Sequence, residues 1–213
     1  MNIAIIGAGN VGKALTGSAI RTGHSVTVSS AGGDSARELA AATGATAAES
    51  NRAAAESAEV VVLAVPYTAI PELLKDIGPL LDGKIVVDAT NPLKADYSGL
   101  ATNGTSGAEE IQAKVPGARV VKAFNTAFAA RQTDPKVAGG LRVDGFVAGD
   151  DEEAKATVLA LVEAIGFNPI DAGGLAMARY LEGMAWLNIT LQTKNGWSWQ
   201  AGWKLVGPDG DAA

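Results

Sequence analysis

The feature that most constrains this chain is a glycine-rich turn near its start. Gly7-Ala8-Gly9-Asn10-Val11-Gly12 follows directly on the β-branched run at 3–6 and opens a stretch of helical character at 10–22. A G-x-G-x-x-G spacing says little alone, but between a strand and a helix each glycine has a physical task. Gly7 permits the tight turn, Gly9 lets the backbone approach a pyrophosphate, and Gly12 lets the helix pack against the strand. The helix N-terminus offers free N–H groups to phosphate oxygens. The alternative is a tight turn that holds no ligand.

The same alternation continues along the chain. Short apolar runs at 3–6, 26–28, 60–65, 85–87 and 120–123 read as strands buried on both faces. Helical stretches at 10–22, 34–43, 71–81 and 108–114 lie between them. The expected fold is α/β, a doubly wound, mostly parallel Rossmann sheet. The last third reads as a strand at 145–148, then a helix capped by Asp150 or Asp151 that runs to Ile165 and stops at Gly166. A strand at 167–171 and a long helix at 175–192 follow, the latter apolar around most of its circumference and so expected in a core or a subunit interface. Trp197, Trp199 and Trp203 fall in the tail, with 197 and 199 expected on one strand face, and 208–213 reads as a loose end. The expected organisation is one domain, 1–213, with a dinucleotide-binding core at 1–142 and a small α/β extension at 143–213.

Composition narrows the chemistry. With 17 basic and 23 acidic residues the formal charge is -6, which lacks the basic footprint of a nucleic-acid binder or of a chain held on an anionic membrane. There is no cysteine, which excludes disulfides, thiolate metal sites and cysteine nucleophiles, and His24 is the only histidine. No metal site is expected. Met1 to Gly7 has no basic n-region, and no apolar run approaches the roughly 20 residues of a spanning helix. A soluble, cytoplasmic protein is expected.

About 20 residues beyond the glycine turn, where an acid would bind an NAD ribose, stand Ser29 and Ser30, then Ala31-Gly32-Gly33. Hydroxyls and bare N–H groups there favour NADP over NAD, with Arg37 or Arg21 as further partners of a 2′-phosphate; the alternative for both arginines is a solvated surface charge. His24 precedes the second strand, at the sheet edge opposite the ligand edge, and reads as a turn residue. No catalytic acid or base is therefore assigned. A nucleotide site without a proton shuttle points to hydride transfer between two cofactor rings. Three further strand ends converge on the same edge: Val65-Pro66-Tyr67, Asn91-Pro92, and Ala123 followed by Phe124, Asn125 and Thr126. Asn91, Asn125 and Thr126 can bond a carboxamide or ribose, and Pro66 and Tyr67 can wall a ring; each can equally be a polar loop cap. Asp88 and Lys122 are expected to form a structural ion pair.

These residues resemble a known family. The opening Ile-Gly-Ala-Gly-Asn-Val-Gly, Ala-Val-Pro at 64–66, Asp-Ala-Thr-Asn-Pro-Leu at 88–93, Val-Lys-Ala-Phe-Asn-Thr at 121–126 and Asp-Ala-Gly-Gly-Leu-Ala-Met-Ala-Arg at 171–179 together look like the F420-dependent NADP oxidoreductases. They are similar also to the cytosolic reductase domain of the STEAP metalloreductases. The resemblance implies NADPH along Ala8, Gly9, Asn10 and Val11, its 2′-phosphate near Ser29 and Ser30, and the nicotinamide near Val65, Pro66, Ala123 and Asn125. It implies a deazaflavin (coenzyme F420) or flavin (FMN or FAD) ring stacked there, a C-terminal segment that completes the pocket, and a homodimer. The archetypal F420 enzymes carry arginine where Ala31 stands and histidine where Asn125 stands. Alternative functions are a flavin-dependent ferric or quinone reductase of the same fold, and an NADP(H)-sensing module that turns nothing over.

Overall fold

The computed structural model describes residues 1–207, so the expected loose end at 208–213 lies outside the described residues. Eight strands form one sheet: β1 (Asn2–Ile6), β2 (Ser25–Ser29), β3 (Thr46–Ala47), β4 (Val60–Leu63), β5 (Ile85–Asp88), β6 (Arg119–Lys122), β7 (Asp144–Gly149) and β8 (Asn168–Gly173). Their order is β3-β2-β1-β4-β5-β6-β7-β8. The first six are parallel in the 3-2-1-4-5-6 order of a dinucleotide-binding sheet. β7 runs antiparallel to β6 and parallel to β8.

Side-chain alternation explains the uninterrupted apolar runs. Ile3 and Ile5 face one side of β1, Ala4 and Ile6 the other, and all four are buried. The first side packs on α1 (Asn10–Arg21) and α7 (Glu152–Ile165) through Leu15, Leu161 and Val162. The second packs on α4 (Ile70–Ile77) and α5 (Gly107–Lys114) through Leu73, Leu74 and Ile111. Each such fully buried aliphatic side chain contributes roughly 1.5–3 kcal/mol.

The remaining helices are α2 (Asp34–Thr43), α3 (Asn51–Glu56), α6 (Ala129–Thr133) and α8 (Ala178–Asn195). β3, α3 and α6 were not expected; each is too short to show a period. The helix expected over 71–81 ends at Ile77 and passes into a 3-10 turn at Gly78–Leu80, where Pro79 has no N–H to continue the ladder. Asp151 caps α7, accepting from Ala154 N at 2.8 Å, and Gly166 ends it at φ +111°. Asp150 instead accepts from Leu175 N at 2.7 Å.

Two expectations are corrected. The long C-terminal helix is not buried around its circumference within this chain: a 3-10 turn occupies Leu175–Met177, and α8 buries only Ala178, Leu181, Glu182, Ala185, Asn188 and Gln192. Tyr180 and Leu187 are exposed at 66% and 48%. Trp197 and Trp199 do not share a strand face. The chain there forms no strand, and Trp199 adopts φ +60°.

The parallel strands are level at their C-terminal ends. Ile6 pairs with Ser29 and Leu63, Leu63 with Asp88, and Asp88 with Lys122. Every segment that leaves this row leaves on the same edge.

Candidate functional site

Two of the fingerprint glycines are required by packing and one is not. Gly7 sits at φ +118°, and a Cβ there would lie 2.3 Å from Ala64 O. A Cβ on Gly12 would lie 1.8 Å from Gly7 O, so the helix touches the turn backbone to backbone. Gly12→Ala should therefore cost roughly 2–3 kcal/mol, since neither backbone can yield; thermal unfolding checks this, and an unchanged melting temperature contradicts it. A Cβ on Gly9 would meet nothing within 4 Å. Gly9 is also the N-cap of α1 and brings no side-chain cap, which leaves the first-turn N–H groups open to an anion.

The space above Gly9 belongs to a cavity of about 670 Å³ lined by Gly7, Ala8, Gly9, Ser30, Val65 and Pro66, with Ser35 and Asn51 further along. Ser30 Oγ accepts from Ala36 N at 3.1 Å and from Ser35 Oγ at 3.0 Å. Ser29 does not line this cavity: it is 1% exposed, and its hydroxyl donates to Asn51 Oδ1 at 2.8 Å. Arg37 pairs with Asp34 and lies over Gly33, its Nη1 2.9 Å from where a Cβ would stand. Arg21 is held by Ser18 Oγ at 2.8 Å and Thr133 O at 2.9 Å.

A second cavity, of about 410 Å³, takes up the next residues of the turn, with Asn10 and Val11 in its wall directly after Gly9. Ala89 and Asn91 beyond β5 and the 124–128 segment beyond β6 form its floor, and Asn188, Ile189 and Trp199 close it. Phe124 holds φ +64°, which costs a bulky residue about 1–3 kcal/mol. Its ring is anchored edge-on to Phe167 at 6.4 Å. Gln132 Nε2 braces the turn by donating to Phe124 O at 2.9 Å and Ala127 O at 3.0 Å. The turn delivers Asn125 to the cavity, where Asn125 Nδ2 donates to Asn91 Oδ1 and to Leu181 O, each at 3.0 Å. Asn91 Nδ2 in return donates to Asn125 O at 3.1 Å. The tail is pinned over the opening by Trp199 N on Gln192 Oε1 at 2.8 Å and by Trp199 edge-on to Phe128 at 5.3 Å. None of the described residues lining this cavity is ionisable in the physiological range.

The structure thus brings Gly7, Ala8, Gly9, Ser30, Val65 and Pro66 to one cavity and Asn10, Val11, Asn91 and Asn125 to the next. Gly12, Ser29, Tyr67, Pro92 and Ala123 line neither. Tyr67 turns away to donate to Glu110, and burial first, then that carboxylate, pushes its phenol far above the ordinary range. Pro92 and Ala123 are buried behind the turns they precede. Sequence reasoning missed Asn51 and Gln132, which sit on short helices and carry no local signal.

Behind the second cavity lies a buried ionic cluster. Lys122 Nζ donates to Asp88 Oδ2 at 2.8 Å, Thr90 O at 2.7 Å and Glu182 Oε1 at 2.8 Å, and all three side chains with charge are fully buried. The expected Asp88–Lys122 pair is therefore present, extended by Glu182 from α8. Glu182 Oε2 also accepts from Gly107 N at 3.1 Å. Burial raises the Glu182 carboxyl above its ordinary value, with Lys122 opposing. A raised folded-state pKa means the native protein binds the proton more tightly than the unfolded chain. This contribution to stability is complete below the ordinary carboxylate range and is lost as pH rises through the folded value. Melting temperatures of the wild type and Glu182→Gln should accordingly shift in the wild type's favour as pH falls from neutral into the weakly acidic range. A pH-independent difference contradicts it.

His24 stands just before β2, at the opposite edge of the sheet, and burial lowers its pKa. Among the described residues no cluster of His, Cys, Asp or Glu suits a metal ion, and no helix is long and apolar enough to cross a membrane.

Residues 2–92 match the family described as NADP oxidoreductase, coenzyme F420-dependent. The chain is 35% identical over 153 residues to the F420-dependent NADP reductase of Methanothermobacter marburgensis, covering 68% of this chain and 67% of that protein. It is 32% identical over 181 residues to metalloreductase STEAP3 of Rattus norvegicus, covering 84% of this chain but only 35% of that longer protein. A crystal structure from Arthrobacter sp. FB24, described as a candidate F420-dependent NADP reductase, superposes with a TM-score of 0.84 at 30% identity over 93% of this chain and 96% of that one.

Proposed function

The chain belongs to the F420-dependent NADP oxidoreductase family, and from that premise we propose that it moves a hydride between NADP(H) and the ring of a deazaflavin or flavin. The observation that carries the reading is a pair of cavities lined by successive residues of the glycine turn: one of about 670 Å³ at Gly7, Ala8 and Gly9 and one of about 410 Å³ at Asn10 and Val11, with no charged residue in the described lining of the second.

The residues present fit the dinucleotide. Open space over Gly9 and the uncapped start of α1 suit a pyrophosphate. Ser30 and the backbone at 31–33 suit a 2′-phosphate, with Arg37 able to swing from Asp34 to join them. Ser29 is excluded from that contact by its burial. Val65 and Pro66 wall the nicotinamide end, and Asn91 and Asn125 orient its carboxamide. When bound, NADPH supplies the hydride. The protein's part is alignment and exclusion of water: the chamber's described lining offers no side chain to deliver or remove a proton, so rate comes from holding two rings in register.

Residues 1–142 bind the dinucleotide, and the described part of the 143–213 extension completes the acceptor chamber, to which Ala185, Asn188, Ile189 and Trp199 contribute. Tyr180, Met184, Leu187 and Leu191 recur at alternating spacings of four and three along α8 on its partly exposed side, the pattern of a helix-pairing seam. They support a homodimer; a place in the cytoplasm is part of the same proposal and rests on the family alone.

A second reading makes the acceptor a flavin, with electrons passed on to ferric iron or a quinone. The asparagine at 125, and the long alignment with the metalloreductase through that stretch, favour it. NADPH oxidation measured with F420, FMN and FAD in parallel, and repeated with NADH, decides between them. Turnover with F420 alone supports the deazaflavin, and turnover with flavins alone supports the second reading. Tight NADPH binding with no turnover leaves a sensor and contradicts both.

A further inference from the structure

Between α1 and α6 runs a groove of about 300 Å³, lined by Asn10, Lys13, Ala14, Ala129, Ala130 and Thr133. Asn10, Ala129 and Ala130 also line the 410 Å³ chamber, so at three points a single residue separates the two spaces. The two helices are clamped along the groove: Ser18 Oγ donates to Gln132 O at 2.7 Å, and Arg21 Nη2 to Thr133 O at 2.9 Å. Its charge has one sign. Lys13 is exposed, and its ammonium has no hydrogen-bond or ion-pair partner among the described residues. Arg21 follows on the same face of α1, and its Nη1 lies back toward Lys13, 3.4 Å from where a Cβ on Gly17 would stand. No carboxylate belongs to the described lining, and Asp134, the acid next to Thr133, accepts from Lys136 N at 3.1 Å. The cavity assigned above to the dinucleotide phosphates is not lined by Lys13. A free cation beside a chamber without charge suits a ligand whose ring is neutral and whose side chain is an anion.

We infer that Lys13 is a specificity-determining residue for the acceptor, selecting rings that carry a phosphate ester on their side chain. With the ring in the chamber, the ribityl chain passes Asn10, Ala129 and Ala130, and its phosphate rests in the groove, where Lys13 Nζ donates to it. The inference rests on the ring-to-ring reading above. The reach is short: Lys13 stands about 4.5 Å along α1 from Asn10, and its flexible stem extends further. Lys13 and Arg21 together make the groove attractive to an anion as it approaches. FMN and coenzyme F420 share the ribityl phosphate ester, so one cation serves either ring class. Riboflavin lacks the phosphate, and so does the ribityl alcohol of the deazaflavin.

The test is a binding measurement, free of turnover. FMN and riboflavin are titrated at low ionic strength into the full chain saturated with NADP⁺, with ring fluorescence as the readout. F420 and its ribityl alcohol form a parallel pair, and the comparison is made in whichever pair binds. The wild type should prefer the phosphorylated member by roughly fivefold, the worth of one partly exposed ion pair. That preference should shrink as salt is added. In Lys13→Gln it should fall below about twofold, and in Lys13→Arg it should persist. Lys13 is exposed, so these variants keep the fold. The affinity of Lys13→Gln for NADPH should stay within about twofold of the wild type. Equal affinities in the wild type, a preference retained in Lys13→Gln, or a loss of NADPH affinity as large as that for the phosphorylated ring overturns the assignment. Binding of no member of either pair brings down the ring-to-ring reading and the assignment with it, whereas a ring that binds without a phosphate preference overturns the assignment alone.

Discussion

Gly9→Val should weaken NADPH binding by at least about 100-fold, equivalent to roughly 2.7 kcal/mol, and leave the melting temperature within about a degree of the wild type. The reason is that Gly9 has an ordinary extended backbone, φ -76° and ψ -170°, and open space where a Cβ would be. The Cβ of a valine there meets nothing, and its methyl groups take up the room over the uncapped helix start. This separates Gly9 from Gly12, where even one methyl would overlap the Gly7 carbonyl. Calorimetric titration with NADPH, beside a thermal melt, checks both halves. Retained affinity in a folded Gly9→Val would sink the fingerprint reading.

Lys122→Met should be the most destabilising substitution in the region of the site, at about 3–5 kcal/mol, because it leaves the Asp88 and Glu182 carboxylates buried without their cation. For a chain of this size that is a fall of roughly 10 °C in melting temperature. Adding Glu182→Gln should recover part of the loss by removing one uncompensated charge. Additive losses in the double variant would show that the two residues are not coupled. The cluster also has a positional consequence. Lys122 holds Thr90 O, next to Asn91, and holds Glu182 on α8, next to Leu181, whose carbonyl receives Asn125. Loosening it should blur the second cavity more than the first.

How much of this was legible in the sequence follows from where each signal resides. Strand β1, the glycine turn and α1 carry their own physics in a dozen residues, since apolar alternation, turn chemistry and helix start all agree there. The level row from Ile6 to Lys122 was legible too, as a set of strand ends with polar residues beyond them. What the sequence hid depends on tertiary partners. Ser29 and Ser30 look alike in one dimension, but alternation along β2 turns Ser29 inward to Asn51 and leaves Ser30 at the cavity. The α8 segment reads as apolar all round, yet the stripe it buries is, Leu181 apart, made of alanine and polar side chains. That stripe packs against the strand ends, where Glu182 meets Lys122 and the Leu181 carbonyl meets Asn125. Gln132 gave no signal, because its two partners are backbone carbonyls of a turn whose left-handed residue is a phenylalanine and not a glycine.

The central claim is direct passage of hydride between two rings with no protein group in between. The most direct test supplies NADPH carrying deuterium at the transferring position and 5-deazariboflavin, whose reduced ring carbon does not exchange with solvent, in ordinary water. The account predicts deuterium on that carbon of the product. Reduced product that carries only solvent hydrogen, or no reduction of any ring acceptor by a chain that binds NADPH, would contradict it.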